Sequence, residues 1–228
     1  MFHFKFTSYN KNMKIIPFEV HTGNKNMQID KELLEDAISR QLQEPIFRFY
    51  GWSPKCVSLG RNQKPDFVDR ALLNKNGIDL VKRITGGRAL LHDKELTYSY
   101  ICPVSYLKDG ESIMGSYQEI SQIFIDQFKK LGIELEISRK HHSNTNTNYC
   151  MMVATGADLC YKGKKLIGSA QYRKDGYILQ HGSILFDYDK KLLETIFRDK
   201  VDEEYITCMK EINPYISIVD ILHLWDNL

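Results

Sequence analysis

Lys165-Leu166-Ile167-Gly168-Ser169-Ala170-Gln171, followed by Leu179-Gln180-His181-Gly182-Ser183, decides how the chain is read. The stretch is apolar and small-residue-rich, opens on a lysine, and is punctuated by Lys162-Gly163-Lys164 and Lys174-Asp175-Gly176. Both triplets suit hairpin turns, so residues 151–186 are expected to be strand-rich. Strand alternation then turns Lys165 inward, although three lysines in a hairpin also read as a charged surface turn.

Toward the N-terminus, Lys82 to Asp93 sets Gly86-Gly87 between Arg83, Arg88 and an apolar run. Two glycines let a loop close on a ligand and present backbone N–H groups, and Arg83 and Arg88 can hold a phosphate or carboxylate. An isolated Gly-Gly is more often a tight turn flanked by solvated cations. A P-loop is excluded, because Gly-x-x-x-x-Gly-Lys-Ser/Thr is absent.

Apolar spacing predicts a helix over Met27 to Leu42 with Asp30 as a cap, and another over Phe67 to Asn76 stopping at Gly77. A third covers Ser112 to Leu131, with Ile113, Tyr117, Ile120, Phe124, Phe128 and Leu131 on one face. Ile46 to Trp52 and Cys56 to Leu59 read as a short antiparallel pair, and Leu80 to Arg83, Ala89 to Leu91, Leu96 to Pro103 and Glu134 to Ile137 as further strands. The C-terminal part is helical, with Ile218, Ile221, Leu222, Trp225 and Leu228 recurring on one face. The mixed order without βαβ alternation points to an α+β fold, a mixed, mainly antiparallel sheet flanked by helices.

At 228 residues and 43% hydrophobic, the chain fits one domain over 1–228 with a helical C-terminal part. A net charge of +2 argues against nucleic acid as the main partner. No apolar stretch approaches the ~20 residues that span a bilayer, and the N-terminus lacks a signal-peptide succession, so a cytoplasmic protein without membrane contact is expected.

Five scattered cysteines argue against a disulfide framework. No metal site is expected, because no cysteine pair has ligand spacing and His141-His142 sits in a polar run that reads as a loop. Cys56, Cys102, Cys160 and Cys208 read as small buried hydrophobes. Cys150 differs: it ends the polar loop and precedes Lys165 by 15 residues. A thiolate attacks an acyl thioester to form a second thioester of similar energy, and a nearby cation helps a thiol whose ordinary pKa is about 8.5. Lys165 is the expected cation, its ammonium also stabilising charge on a carbonyl oxygen or phosphate. His92 and His181 read first as hydrogen-bonded residues that shape a pocket, and Ser169 has no Ser-His-Asp partnership.

Those segments, with Ser58-Leu59-Gly60-Arg61-Asn62-Gln63, resemble the lipoate and octanoate transfer family, whose ligases and octanoyltransferases share a catalytic fold with biotin protein ligases. Thr85 to Ala89, Glu95 to Ser99, Gly168 to Gln171 and the Cys150–Lys165 spacing are most similar to the cysteine-dependent octanoyltransferases. The resemblance implies Cys150 as nucleophile and Lys165 as the family's lysine. It also implies that Arg83, Thr85, Gly86, Gly87, Arg88, His92, Gly168, Ser169, Ala170, His181 and Gly182 bind substrate. Octanoyl-acyl carrier protein would be the donor, a lysine of the glycine-cleavage H protein or a dehydrogenase lipoyl domain the acceptor, and no cofactor would be needed. Thr155-Gly156-Ala157-Asp158 is closer to the ligases, which brings in a lipoate-protein ligase using ATP and Mg²⁺, with Asp158 near the metal. Lys82 replacing the commoner arginine is a second departure. A noncatalytic carrier-protein-binding module on the same fold is the third reading.

Overall fold

The computed structural model of the chain describes residues 13–138, 142–143 and 147–226. In chain order its elements are β1 (Lys14–His21), α1 (Gly23–Ser39), β2 (Ile46–Trp52), β3 (Cys56–Leu59), α2 (Arg70–Lys75), β4 (Asp79–Lys82), β5 (Leu90–His92), β6 (Glu95–Pro103) and α3 (Ile113–Lys130). There follow β7 (Glu136–Ile137), β8 (His142–Ser143), β9 (Val153–Ala154), β10 (Leu159–Tyr161), β11 (Lys164–Lys174), β12 (Tyr177–Leu185), α4 (Lys190–Phe197), α5 (Met209–Ile212) and α6 (Ile218–Trp225). Seven strands form one sheet in the order β1-β2-β6-β12-β11-β10-β7, and a smaller sheet runs β4-β3-β5. Pairs β1–β2 and β3–β4 are parallel, and the pairs through the centre of the large sheet are antiparallel, as an α+β fold requires.

The two Lys/Gly-bearing triplets close β10–β11 and β11–β12. Lys162 and Gly163, then Asp175 and Gly176, have positive φ, which suits two-residue hairpin turns. Two local readings change. Ile46 to Trp52 and Cys56 to Leu59 do not pair with each other: β2 lies between β1 and β6, and β3 between β4 and β5. The first five residues of β2 are buried on both faces of the sheet, so that strand needs neighbours on both sides. Helix α1 begins four residues earlier than expected, capped by Thr22, which accepts from the Lys25 N–H, and Asp30 sits mid-helix.

Alternation along the strands gives the large sheet two different faces. On one, Phe47, Phe49 and Tyr98 meet Phe124 of α3 and Trp225 of α6, whose rings lie 4.3–6.3 Å apart. Each fully buried Phe there contributes about 1.5–3 kcal/mol relative to exposure. Ile113, expected on this apolar face, is 63% exposed because it opens the first turn of α3, ahead of the packed part. Leu228 lies outside the described residues. The other face, covered by α1 and by the loop after β4, is apolar where Ile46, Ile101 and Leu179 meet Leu34 and Ala37 of α1 and polar beyond, and the cleft lies on its polar part.

Candidate active site

Two cross-strand rows build the floor of the cleft. Gly168 of β11 faces Ser183 of β12, Ser183 faces Thr97 of β6, and Thr97 faces Tyr50 of β2. Two residues along each strand, Ala170, His181, Ser99 and Arg48 form the parallel row. The cleft, about 450 Å³ measured out to its open mouth, is also lined by Met27, Trp52, Arg83, Gly87, His92 and Cys150.

Apart from the buried Ser99 hydroxyl, which meets no hydrogen-bond partner among the described residues, the polar side chains of this floor are bonded to one another. Arg83 makes five hydrogen bonds, from Nε to Thr85 Oγ1, from Nη1 to Ser58 O and Oγ, and from Nη2 to the carbonyls of Gly86 and Arg88. Guanidinium only donates, so the Thr85 and Ser58 hydroxyl protons turn away from it. Thr85 Oγ1 then donates to His181 Nε2 at 2.7 Å, and Ser58 Oγ to His92 Nε2 at 2.8 Å. That assignment leaves Nδ1–H of His181 for Asp30 and Nδ1–H of His92 for Glu95, at 3.3 and 3.2 Å. Asp30 also accepts from Arg48 and Tyr50, and Glu95 from Thr97, which accepts in turn from the Trp52 indole N–H. Burial lowers the pKa of His92, partly opposed by Glu95, so its ring stays neutral.

The expectation that Arg83 holds a substrate anion therefore changes, because its five N–H groups already serve its own loop and Ser58 of β3. Gly87 has φ +91°, and a side chain on Gly60 would collide with the Gly87 carbonyl, so the loop and β3 touch backbone to backbone. Thr85 and Gly86 act within this clamp. Arg88 contributes its carbonyl to it and, like Thr85 and Gly86, is not on the cleft wall.

Cys150 comes from a different part of the chain and is stitched to that loop. Its N–H donates to Ala89 O at 2.8 Å, and the Ala89 N–H donates to Asn148 O at 3.1 Å. Tyr149 is buried and stacks on Phe197 of α4 at 4.8 Å, while Asp199 accepts from Asn148 N and Thr147 Oγ1. These anchors leave the Cys150 side chain partly exposed in the cleft, whereas the other four cysteines are buried. Burial drives the thiols of Cys56 and Cys102 up to about 12 and that of Cys160 to about 11, so all three stay protonated.

Lys165 is 1% exposed and sits behind the cleft, not on its wall. Its Nζ lies 2.8 Å from Val153 O, 3.1 Å from Cys150 O, 3.1 Å from Asp158 Oδ2 and 3.9 Å from Cys150 Sγ. Three N–H groups meet three oxygens, so the ammonium holds the turn that carries Cys150 and leaves its charge beside the sulfur. Burial alone would lower its pKa, but Asp158, and after it Cys150, raise it above the ordinary value. Gly168 makes the room: a Cβ there would lie 3.0 Å from Lys165 Cε and 3.1 Å from Met151 Sδ.

Asp158, expected near a metal if ATP is used, has no free oxygen. Oδ2 accepts from Lys165, Thr155 N and Thr155 Oγ1, and Oδ1 from Ser169 N. Among the described residues no three His, Cys, Asp or Glu side chains converge as metal ligands. Mg²⁺ at Asp158 Oδ2 would have to displace the Lys165 ammonium. Ser169 carries its hydroxyl on the aromatic face of the sheet, over Gly182 to Tyr98 OH at 2.8 Å, which excludes it as a nucleophile in the cleft. Gly182 permits that crossing, since a Cβ would lie 2.6 Å from both Gly168 O and Tyr98 Cε1.

Sequence reasoning missed Asp30, Arg48, Ser58, Glu95 and Thr97. Glu95-Leu96-Thr97-Tyr98-Ser99 did carry a signal, because three polar residues alternate on one face of the strand.

The fold is shared with lipoate-protein ligases. A crystal structure of lipoate-protein ligase A bound with ATP superposes with a TM-score of 0.71 at 24% identity, covering 92% of this chain and 81% of that one. The bipartite lipoate protein ligase of Thermoplasma acidophilum superposes with a TM-score of 0.70 at 22% identity, covering 96% and 82%. The model of the lipoyl protein ligase A/B catalytic domain matches residues 22–224, and the chain belongs to that family. Octanoyltransferase LipM of Macrococcus caseolyticus is 41% identical over 180 residues, 75% of this chain and 65% of the relative. The protein of the same name from Staphylococcus epidermidis is 38% identical over 218 residues, 89% of this chain and 78% of the relative. The chain thus spans about two thirds to three quarters of these relatives' length.

Proposed function

We propose that the chain is an octanoyltransferase of protein lipoylation, with Cys150 as the nucleophile that carries the acyl group. The observation that carries this reading is the 3.9 Å separation of Cys150 Sγ from the buried ammonium of Lys165. The names of its relatives support the same activity.

In the first half-reaction the Cys150 thiolate attacks the carbonyl of octanoyl-acyl carrier protein. A new C–S bond forms, the bond to the phosphopantetheine sulfur breaks, and that sulfur leaves as a thiolate that takes a proton from water. In the second, a neutral lysine amine of a lipoyl domain or the glycine-cleavage H protein attacks the Cys150 thioester. The amide C–N bond forms, the Cys150 sulfur is expelled, and the amine proton passes to solvent. Sulfur at position 150 bears negative charge as it attacks in the first step and as it leaves in the second, and the Lys165 charge lies beside it at both moments.

Lys165 differs here from a carbonyl-polarising donor, because its three N–H groups already serve the protein. No step needs ATP, and the saturated Asp158 carboxylate supports a thioester route over an adenylate. Five free cysteines support a reducing, cytoplasmic setting. The described residues contain no helix long and apolar enough to cross a membrane.

Incubation with octanoyl-acyl carrier protein in the absence of ATP, followed by mass spectrometry of tryptic peptides, tests the proposal. An octanoyl adduct confined to Cys150 is expected. Acylation that requires free octanoate plus ATP would replace the transferase by a ligase, and no acylation under either condition would leave a binding module.

A further inference from the structure

Arg61 is exposed and lies outside the clamp that occupies Arg83. Three contacts fix the turn that carries it: its own backbone N–H donates to Thr85 O at 2.8 Å, Gly60 packs against the Gly87 carbonyl, and Gln63 Nε2 donates to Asn148 O at 3.4 Å. Thr85 adjoins the Gly86-Gly87 loop and Asn148 is close to Cys150 in the chain, so the turn sits at the rim of the cleft. From there the guanidinium reaches β11, where its Cζ stands 5.4 Å from the centroid of the Tyr172 ring. Among the described residues its side-chain N–H groups meet no hydrogen-bond acceptor, and the Tyr172 hydroxyl meets no partner. A guanidinium braced on an aromatic ring keeps its fork of donors for an anion, and phosphate matches that fork.

Strand β11 leads from the sulfur to that cation. Gly168, Ala170 and Tyr172 alternate onto one face of the strand, and at about 3.4 Å per residue Tyr172 stands roughly 14 Å from Gly168. The Cys150 end is fixed by Gly168: a Cβ there would lie 3.3 Å from Lys165 Nζ, which is itself 3.9 Å from the sulfur. Gly168 and Ala170 line the cleft and carry nothing beyond Cβ, so Tyr172 is the first large side chain along that face. The thioester donor of the proposed reaction is a phosphopantetheine arm. About thirteen bonds separate its sulfur from its phosphorus, equal to roughly four residues of extended chain, on the order of 15 Å. An arm with its sulfur at Cys150 and its length along β11 therefore brings its phosphate to Arg61.

We infer that Arg61, braced on Tyr172, binds the phosphodiester of the carrier's phosphopantetheine arm and so sets where the donor thioester stops relative to Cys150. The inference rests on the thioester-transfer reading for the identity of the donor. Binding of the arm does not require Cys150 to react.

Two probes that differ only in the phosphate, octanoyl-pantetheine and octanoyl-4′-phosphopantetheine, test it. Their dissociation constants are measured by calorimetry on Cys150→Ala protein, which holds the thioesters without reacting, and on the same protein carrying Arg61→Met or Arg61→Lys. With Arg61 present the phosphorylated thioester should bind about tenfold more tightly, the range of a charge-assisted hydrogen bond to phosphate. Arg61→Met should bring the ratio of the two constants to about one by weakening the phosphorylated ligand. Arg61→Lys should keep part of the preference, since an ammonium retains the charge without the fork. An unchanged preference in Arg61→Met overturns the inference, as does equal binding of the two thioesters with Arg61 present or no binding of either. The transfer reading fails separately, in the protein that retains Cys150. A phosphate preference that depends on Arg61, without acylation of Cys150 by either thioester, would remove the transferase and keep the phosphate subsite. Acylation of Cys150 by both thioesters with equal affinity would do the reverse.

Discussion

Lys165 and Arg83 are both buried cations, and both have given their N–H groups to the protein, yet they do opposite things for the cleft. Arg83 spends its charge on two carbonyl groups of its own loop, one of β3, and the hydroxyls of Thr85 and Ser58. Its N–H groups are taken up in a clamp that fixes the Gly86-Gly87 turn and the two histidines, although its charge also reaches Cys150. Lys165 meets two carbonyls and one carboxylate, and its remaining neighbour is the Cys150 sulfur, the proposed nucleophile. A buried cation becomes part of the chemistry when the next atom along is reactive, and part of the scaffold when it is not. Exposure does not separate the two cases.

The largest effect that sharpens this contrast is at the sulfur itself. Cys150→Ala should lower octanoyl transfer by about a thousandfold or more, while the denaturant midpoint moves by little because the side chain is partly exposed. Steady-state transfer and urea unfolding measured on the same preparation check both halves. If Arg83→Lys abolished transfer to the same degree, the division into chemistry and scaffold would break.

Next comes the ion pair behind the sulfur. Lys165→Met leaves the Asp158 carboxylate buried and unpaired, which should cost about 3–5 kcal/mol of stability. Adding Asp158→Leu should recover much of that stability, since an apolar pair of similar volume tolerates burial better than a lone charge. Activity should stay low in the double variant. Recovery of transfer together with stability would show that Lys165 serves only to hold the turn. Arg83→Lys should fall between, losing about 2 kcal/mol because three N–H groups replace five, with transfer reduced about tenfold.

The smallest effects are in pH. Asp158 and Cys150 raise the pKa of Lys165 against the burial that lowers it, so its contribution to stability is fully present below its ordinary value and fades only as pH rises through the higher folded one. Chemical unfolding between pH 7 and pH 10 should therefore show no loss assignable to this residue. His92 has the opposite sign. Burial lowers its pKa, so stability is full above the ordinary histidine value of about 6.5 and declines as pH falls from there through the folded value. His92→Gln should remove that part of the acid-side slope in urea titrations from pH 7 to pH 5.

What the sequence disclosed follows the same division. The proximity of Lys165 and Cys150 was legible because each stood next to a local pattern, a strand of small residues for one and the end of a polar loop for the other. Helix α3 and the two hairpin turns were legible for the same reason: periodicity and turn residues are local. The clamp was not. Asp30 lies 151 residues from its partner His181, and Thr85 lies 96 from the same ring, so no spacing rule connects them. Read alone, Asp30 looked like a helix cap, since a carboxylate near a helix start is usually just that. Its burial against Arg48 is a property of the sheet beneath it. The spread of β2 and β3 into separate sheets was hidden for a similar reason, because a strand buried on both faces looks from sequence like either arm of a hairpin.

A chase experiment on the acyl-enzyme reaches the thioester at Cys150 most directly. Protein carrying octanoate on Cys150, freed of carrier protein and nucleotide, is mixed with an unmodified lipoyl domain, and the acyl group is followed by intact-mass spectrometry. Loss of the adduct in step with the appearance of octanoyl-lysine on the lipoyl domain is the expected result. An adduct that persists while the lipoyl domain stays unmodified, or transfer that continues at the wild-type rate with Cys150→Ala, would contradict it.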